Sequence, residues 1–164
     1  MKRIVLLLAA LLPAVAFAGF PFEATLEEMA KGADHILVGR VAGVDMIDGD
    51  GKPVLDEKAR TGPGLPNTIR LLIEVDEILV TNATRVPEVL PVPLASHLHY
   101  SLGQIREAHE GDTLARLVLL RGKDFSGIKP GVFLRPIGDK EEALRLHAAA
   151  HPQAPRAPSF QPMP

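Results

Sequence analysis

The segment His35–Ile47 carries apolar residues on both of its alternating faces. A run of this kind, rich in branched side chains, is typical of a strand that is covered on both sides for part of its length. Gly39 and Gly43 lie on the same face, where glycine helps a strand only if the strand bends sharply or another backbone comes close. The pattern therefore predicts a long, coiled central strand of a small barrel.

In the second predicted strand the two faces differ clearly. From Ile69 to Val75 every second residue is apolar, and the residues between them are polar with one exception. This alternation predicts one face in the core and one in water. Beyond Glu77 the apolar residues move to the other set of alternate positions. Such a switch predicts a β-bulge, by which a strand bends around the corner of a barrel.

Three further segments complete the predicted sheet. Residues 113–121 are again apolar on both faces, which predicts a second central strand. Three prolines restrict residues 86–94 to an edge strand at most, and a proline near its end places the short segment 131–137 at an edge as well.

Three capping motifs predict helices. In each, a Ser, Thr or Asp is followed three residues later by Glu or Gln, so that side chains and backbone N–H groups can satisfy each other. The pairs are Thr25 with Glu28, Ser101 with Gln104, and Asp139 with Glu142. We expect a short helix that ends near Gly32, another before Gly111, and a C-terminal helix that Pro152 ends. The fold class is then α+β: a small, partly open antiparallel β-barrel of about five strands, with a short N-terminal helix and a C-terminal helix.

The first residues of the chain have a different character. Lys2 and Arg3 precede an apolar run over residues 4–12, and the small residues Ala16 and Ala18 occupy the two positions that a signal peptidase reads. The run is too short to cross a bilayer. We therefore expect a signal peptide over residues 1–18 that is cleaved after Ala18, and a periplasmic or secreted product with no membrane span after cleavage.

The remaining chain divides into a domain and a tail. Residues 19–150 have the length of a single domain, and we expect one small β-barrel domain there. We also expect the protein to be a monomer. Residues 151–164 carry five prolines and few large apolar side chains, which predicts a disordered tail.

Composition excludes several classes of function. Loss of Lys2 and Arg3 with the signal peptide leaves 16 basic and 20 acidic residues, a formal charge of −4. Such a surface argues against a nucleic-acid binder, which needs a basic face. The chain has no cysteine, so disulfides, thiol catalysis and thiolate metal sites are excluded.

Histidines provide the one candidate metal chemistry. His97 and His99 would share one face of an extended segment, and His109 follows in an acidic loop or helix. Imidazoles with a carboxylate could hold zinc or copper with one coordination place open. A His-x-His pair without a fixed third ligand is also common on a solvated loop, so both interpretations stay open.

The segment between the first two predicted strands is the other candidate site. Residues 48–67 show no period, and so long a loop in a small domain is either mobile or functional. Its Asp-Gly-Asp-Gly run indicates a turn, because the spacing of a calcium loop is missing. We expect this loop to be the first contact surface for a ligand or partner, through its charged residues Asp48, Asp50, Lys52 and Arg60.

Two segments resemble a known group of proteins. Ala33–Val41, which reads ADHILVGRV, and the later Ile69–Leu79 are similar to the first strands of small exported bacterial β-barrel proteins of unknown function, which open with an A-D-x-I-v-x-G-x-V strand. More distantly, the pattern resembles the OB-like barrel of netrin-type and metalloproteinase-inhibitor modules. Those modules use an N-terminal cysteine and disulfides, which this chain lacks. The resemblance implies an OB-like fold and leaves the function open.

The sequence favours an exported, non-enzymatic binding or inhibitor-like module without a cofactor, because catalytic constellations are missing and barrel faces and long loops commonly serve partners. Its ligand would be an unknown protein or small molecule of the cell envelope. One alternative is a metal-binding protein that uses His97, His99 and His109 for zinc or copper, and another is a structural component of the envelope.

Overall fold

The computed structural model describes residues 23–152. The predicted signal peptide, its cleavage site and nearly all of the predicted tail lie outside these residues. Within them the chain has an α+β fold with an antiparallel sheet of six strands that is not closed, and three α-helices. None of the helices between residues 23 and 152 is long and apolar enough to cross a membrane.

The elements follow the chain in an order close to the predicted one. The strands are β1 (His35–Ile47), β2 (Thr68–Thr81), β3 (Val89–Pro93), β4 (Arg116–Arg121), β5 (Ser126–Gly127) and β6 (Leu134–Pro136). The helices are α1 (Leu26–Gly32), α2 (Leu102–Ala108) and α3 (Lys140–Ala150), and a 3₁₀ turn over Ile137–Asp139 leads into α3.

Strand β1 is central, as its two apolar faces predict. It pairs with β2 from end to end, and on its other side it pairs with β4 from His35, opposite Leu120, to Gly39, opposite Arg116. β3 lies on the outer side of β2, at the edge that its prolines predict. β4 begins at Arg116, three residues later than expected.

The last part of the sheet accounts for the sixth strand. β5 and β6 both pair with β4, at its C-terminal and N-terminal ends respectively. Residues 128–132 lie outside the ladder and contain one bridge of their own, Lys129 with Val132, and the carbonyl of Phe133 already accepts from the N–H of Leu119. The strand predicted at residues 131–137 therefore corresponds to β6, the second part of a strand that is interrupted after β5.

The predicted bulge is confirmed. The pairing of β2 with β1 shifts its register on both sides of Glu77, since Asp76 and Leu79 have no partner in β1. A third shift leaves Ala42 of β1 without a partner in β2. Near these shifts the backbones come close: a Cβ on Gly39 would lie 2.5 Å from the carbonyl oxygen of Glu74. The glycine at this position is thus explained by close approach.

Three apolar clusters fill the fold. One face of the sheet carries the largest cluster, which contains Leu37, Val41, Leu71, Ile73, Leu90, Val92, Val118, Leu120 and Phe133. The opposite face is covered by α1 and α3 over residues such as Ile36, Leu117 and Leu119. A smaller cluster of Met46, Ile69 and Leu102 closes the end of the sheet where α2 packs.

Two of the three predicted helix caps are confirmed. Thr25 with Glu28 and Ser101 with Gln104 form reciprocal capping boxes. The prediction for Asp139 is wrong: its side chain caps nothing and accepts a hydrogen bond from Arg135 Nε at 2.8 Å. The physical reason is that the 3₁₀ turn runs directly into α3, so the backbone is already helical at Asp139.

Candidate functional site

A cleft lies where β1 and β4 separate. The two strands stop pairing after Gly39, and the chain before β4 turns away, so that no strand of the described chain lies beside β1 on that side from Arg40 to Val44. The space between this open edge and residues 106–113 is a cleft of about 860 Å³. We call it the wedge cleft.

The wedge cleft is built from four parts of the chain. Arg40–Val44 of β1 forms one wall, and the end of α2 with the turn after it, from Arg106 to Thr113, forms the other. Glu57 from the long loop and Glu74 from β2 complete the lining. The first wall is a strand held along its whole length by β2, so this part of the site is positioned by a rigid element.

Unpartnered polar atoms concentrate here. Four buried side-chain nitrogen or oxygen atoms in residues 23–152 have no hydrogen-bond partner, and three of them belong to the wedge cleft or to its ion pairs: Nε of Arg40, Nδ1 of His109 and Nε of Arg116. The two arginine Nε–H groups can only donate. A buried donor without an acceptor is costly, so these groups are a local cost to stability beside the cleft.

The other nitrogens of these arginines are held by carboxylates. Arg40 lies 2.7 Å from Asp76 and 3.6 Å from Glu74, and Arg116 lies 2.9 Å from Asp112. The resulting ion pairs fix the guanidinium groups at the rim of the wedge cleft. Because the pairs are partly exposed, we assign them a positioning role and little stability.

On the α2 side the cleft is braced by Arg106 and Asp112. Arg106 bonds the Glu57 carboxylate and donates through Nε to the carbonyl oxygen of Val44 at 3.3 Å, which ties α2 to both the loop and β1. The N–H of Leu114 and the guanidinium of Arg116 lower the pKa of Asp112, which is therefore ionised at neutral pH.

His109 is the one predicted site histidine that lines the wedge cleft. It ends α2, and its Nδ1 lies 3.6 Å from Asp112 Oδ2, too far for a hydrogen bond. His97 and His99 belong to the segment that links β3 to α2, and the ring of His99 lies against Gly62 of the long loop. Among residues 23–152 no group of three or more His, Asp or Glu side chains is arranged to hold a metal ion.

The long loop is an ordered part of the fold. Its second half bonds to the segment that begins α2: Thr61 donates to Leu98 O at 2.7 Å, and the Ala59 and Glu57 carbonyls accept from Leu102 N and Gly103 N. Its role at this end of the sheet is to cover the small apolar cluster, which Val54 and Ala59 contact.

The four charged loop residues that sequence reasoning selected lie outside the wedge cleft. Asp48 closes its own turn by accepting from the N–H groups of Asp50 and Lys52, and the latter two side chains form an exposed pair at 3.7 Å. The backbone of Arg60 pairs with Ser101. The loop residue that does reach the cleft is Glu57.

Sequence reasoning missed Arg40, Arg106 and Arg116 as members of one site. Each lies next to apolar residues in a regular element and is indistinguishable there from an ordinary surface charge. They come together only because β1 and β4 separate at Gly39, which is a long-range property of the sheet. No local pattern in the sequence signals that point.

The arrangement suits binding. The wedge cleft offers a row of main-chain groups on β1, fixed guanidinium donors, and an excess of carboxylates over basic groups in its lining. Comparisons of the chain with protein-family models, with curated proteins and with solved structures find no match.

Proposed function

We propose that the protein is an exported, non-enzymatic binding module that takes an extended segment of another polypeptide into the wedge cleft, where the segment adds as a strand to the open edge of β1. The observation that carries this proposal is the end of β1–β4 pairing at Gly39. It leaves five consecutive residues of a central strand facing a cleft instead of a neighbour.

The open edge defines the size of the ligand. Strand addition uses main-chain N–H and C=O groups of the host strand for affinity and side-chain contacts for specificity. Residues 40–44 would accommodate about five residues of a bound segment, roughly 17 Å of extended chain. The α2 wall, tied to Val44 by Arg106, limits the segment at one end.

The charges of the cleft define the ligand's composition. Glu57, Glu74, Glu107, Glu110 and Asp112 outnumber the two lining arginines. A segment with Lys or Arg side chains therefore complements the lining. Its main-chain carbonyls can accept hydrogen bonds from the guanidinium groups of Arg40 and Arg106, which line the cleft.

The strand order supports an OB-like barrel as the host fold. The first strand pairs with the second and the fourth, the third pairs with the second, and a helix stands between the third and fourth strands. The two ends of the sheet, β3 and β5, come into contact with each other. We propose that this approach is the partial closure of an OB-like barrel, a fold whose strand faces and loops commonly bind extended polymers.

A peptide selection tests the proposed function. The purified, untagged chain is panned against a phage-displayed library of random 12-residue peptides, and the affinity of selected peptides is measured by fluorescence anisotropy. We expect enrichment of basic, extended sequences. Glu110→Lys should weaken their binding at least tenfold, whereas Glu141→Lys, which changes an exposed glutamate of α3 that does not line the cleft, should leave it unchanged.

Hydrogen exchange then locates the bound peptide. The amides of residues 40–44 that point away from β2 should exchange quickly in the free protein and slow down when a selected peptide is bound, because strand addition protects the edge. Ala42→Pro, which places a ring and no N–H on the exposed edge, should abolish binding while the melting temperature shows a folded protein. Selected peptides that protect only residues 48–56, and that bind Ala42→Pro normally, would place the site on the loop and overturn the proposal.

A further inference from the structure

The end of α3 carries two histidines one helical turn apart. His147 is 6% exposed and its Nδ1–H donates to the carbonyl oxygen of Ala30 at 3.0 Å. His151 is exposed, and its Nε2–H donates to the carbonyl oxygen of Lys31 at 2.9 Å. Both imidazoles thus bond to neighbouring carbonyls at the end of α1, and together they join the first helix to the last.

These hydrogen bonds fix which nitrogen of each ring is left over. A carbonyl accepts only from an N–H, so a neutral His147 keeps its lone pair on Nε2 and a neutral His151 keeps its lone pair on Nδ1. Nε2 of His147 is buried and has no hydrogen-bond partner. The two rings lie 4.4 Å apart at an angle of 33°. Since both bonded nitrogens face α1, both lone pairs are directed away from it.

The two rings line a small cavity of about 120 Å³. Asp34 and Asn82 lie on its other side, and the Asp34 carboxylate is already engaged, with one oxygen accepting from Asn82 and the other from the N–H of Gly122. The cavity therefore contains a buried acceptor, Nε2 of His147, with no donor to satisfy it. It has room for an ion and a few water molecules.

We propose that His147 and His151 form a two-histidine site for a divalent transition metal, Zn²⁺ or Cu²⁺. Imidazole is a preferred ligand of both ions, and a metal-ligating histidine characteristically donates its second ring N–H to a backbone carbonyl, as both do here. His147 lies in the last turn of α3 and His151 directly after its end, so that the two rings come together.

Water completes the coordination, because no third His, Asp or Glu of residues 23–152 joins the pair. This proposed metal site lies between α1 and α3, outside the wedge cleft. Its test is therefore independent of the test for peptide binding.

Metal titration of the untagged chain tests the site. We expect one Zn²⁺ or Cu²⁺ per chain by isothermal titration calorimetry, a rise in melting temperature with added metal, and shifts of the His147 and His151 ring signals in ¹⁵N NMR spectra. His151→Ala changes an exposed side chain and should fold normally while weakening binding at least tenfold. His147→Gln, which replaces the other proposed metal ligand, serves as the second variant.

A matched control separates this site from the other histidines. The triple variant His97→Ala, His99→Ala, His109→Ala should bind the metal as the unmodified chain does. The proposal is overturned if no metal binds, if binding survives His151→Ala, or if the triple variant loses the metal instead.

Discussion

The two halves of β1 both carry apolar residues but have very different surroundings. From His35 to Gly39 the strand lies between β2 and β4 and every residue is buried. From Arg40 onward only β2 remains beside it, and only Val41 and Met46 are buried. A central strand thus becomes an edge strand where one of its two neighbours ends its pairing. The open part of β1 is therefore held in place by the buried part of the same strand.

His35 shows how completely the first half is satisfied. It is fully buried, yet its Nδ1 lies 2.8 Å from Thr81 Oγ1 and its Nε2 lies 2.9 Å from the carbonyl oxygen of Gly122. Phe125 packs on the ring at 4.5 Å. In the second half, by contrast, the side chain of Arg40 keeps an unpartnered Nε. The buried polar side chain of the first half is thus fully hydrogen-bonded, whereas the second half keeps one buried donor without a partner.

The largest expected effect comes from removing side-chain volume in the first half. Leu37→Ala should lower the free energy of unfolding by about 3 kcal/mol, since Leu37 is fully buried in the main cluster and leaves a cavity. Val44→Ala, in the half-buried second half, should cost about 1 kcal/mol. Urea denaturation measures both. Equal losses would show that the two halves are equally important to the core.

An intermediate effect is expected where the halves meet. Gly39→Ala would place a Cβ 2.5 Å from the carbonyl oxygen of Glu74, so the strands must move apart at a cost of roughly 1–3 kcal/mol. At Gly43 the nearest atom to a new Cβ is Leu72 Cδ1 at 3.6 Å, an ordinary contact, and Gly43→Ala should change stability by about 0.5 kcal/mol or less. Thermal melts that rank the two variants in the reverse order would contradict the close approach at Gly39.

The smallest effect concerns acid stability beside the open half. Because the pKa of Asp112 is lower in the folded protein, this carboxylate stabilises the fold above its unfolded pKa of about 3.9, and the contribution disappears as the pH falls through the folded pKa. Asp112→Asn should therefore be slightly less stable than the unmodified chain at pH 7, with the difference shrinking below about pH 4. A difference that grows in acid would contradict this assignment.

Much of the fold could be predicted because its signals are local. The two apolar faces of residues 35–47, the switch of apolar positions after Glu77 and the prolines of β3 each reflect the immediate geometry of a strand. The capping boxes at Thr25 and Ser101 are local in the same way. The predicted cap at Asp139 was wrong because the preceding 3₁₀ turn already places the Asp139 backbone in a helical conformation.

The candidate sites were hidden because they depend on distant parts of the chain. The wedge cleft exists only where β4 leaves β1, and the nearby residues 113–115 have the apolar pattern of a continuing strand. The spacing of His147 and His151 is visible in the sequence, but the contact of both rings with α1, more than 115 residues earlier, is not. The signal that could have been noticed is that spacing itself.

The edges of the sheet also have a consequence for self-association. On the β3 side, Pro91 and Pro93 stand opposite Leu72 and Arg70 and lack the N–H groups that another copy would need to continue the sheet. On the β1 side, the open edge ends against α2 after a few residues. Sheet growth from molecule to molecule, the first step toward cross-β aggregates, is thus hindered by proline along β3 and limited to one short guest strand at the open edge of β1.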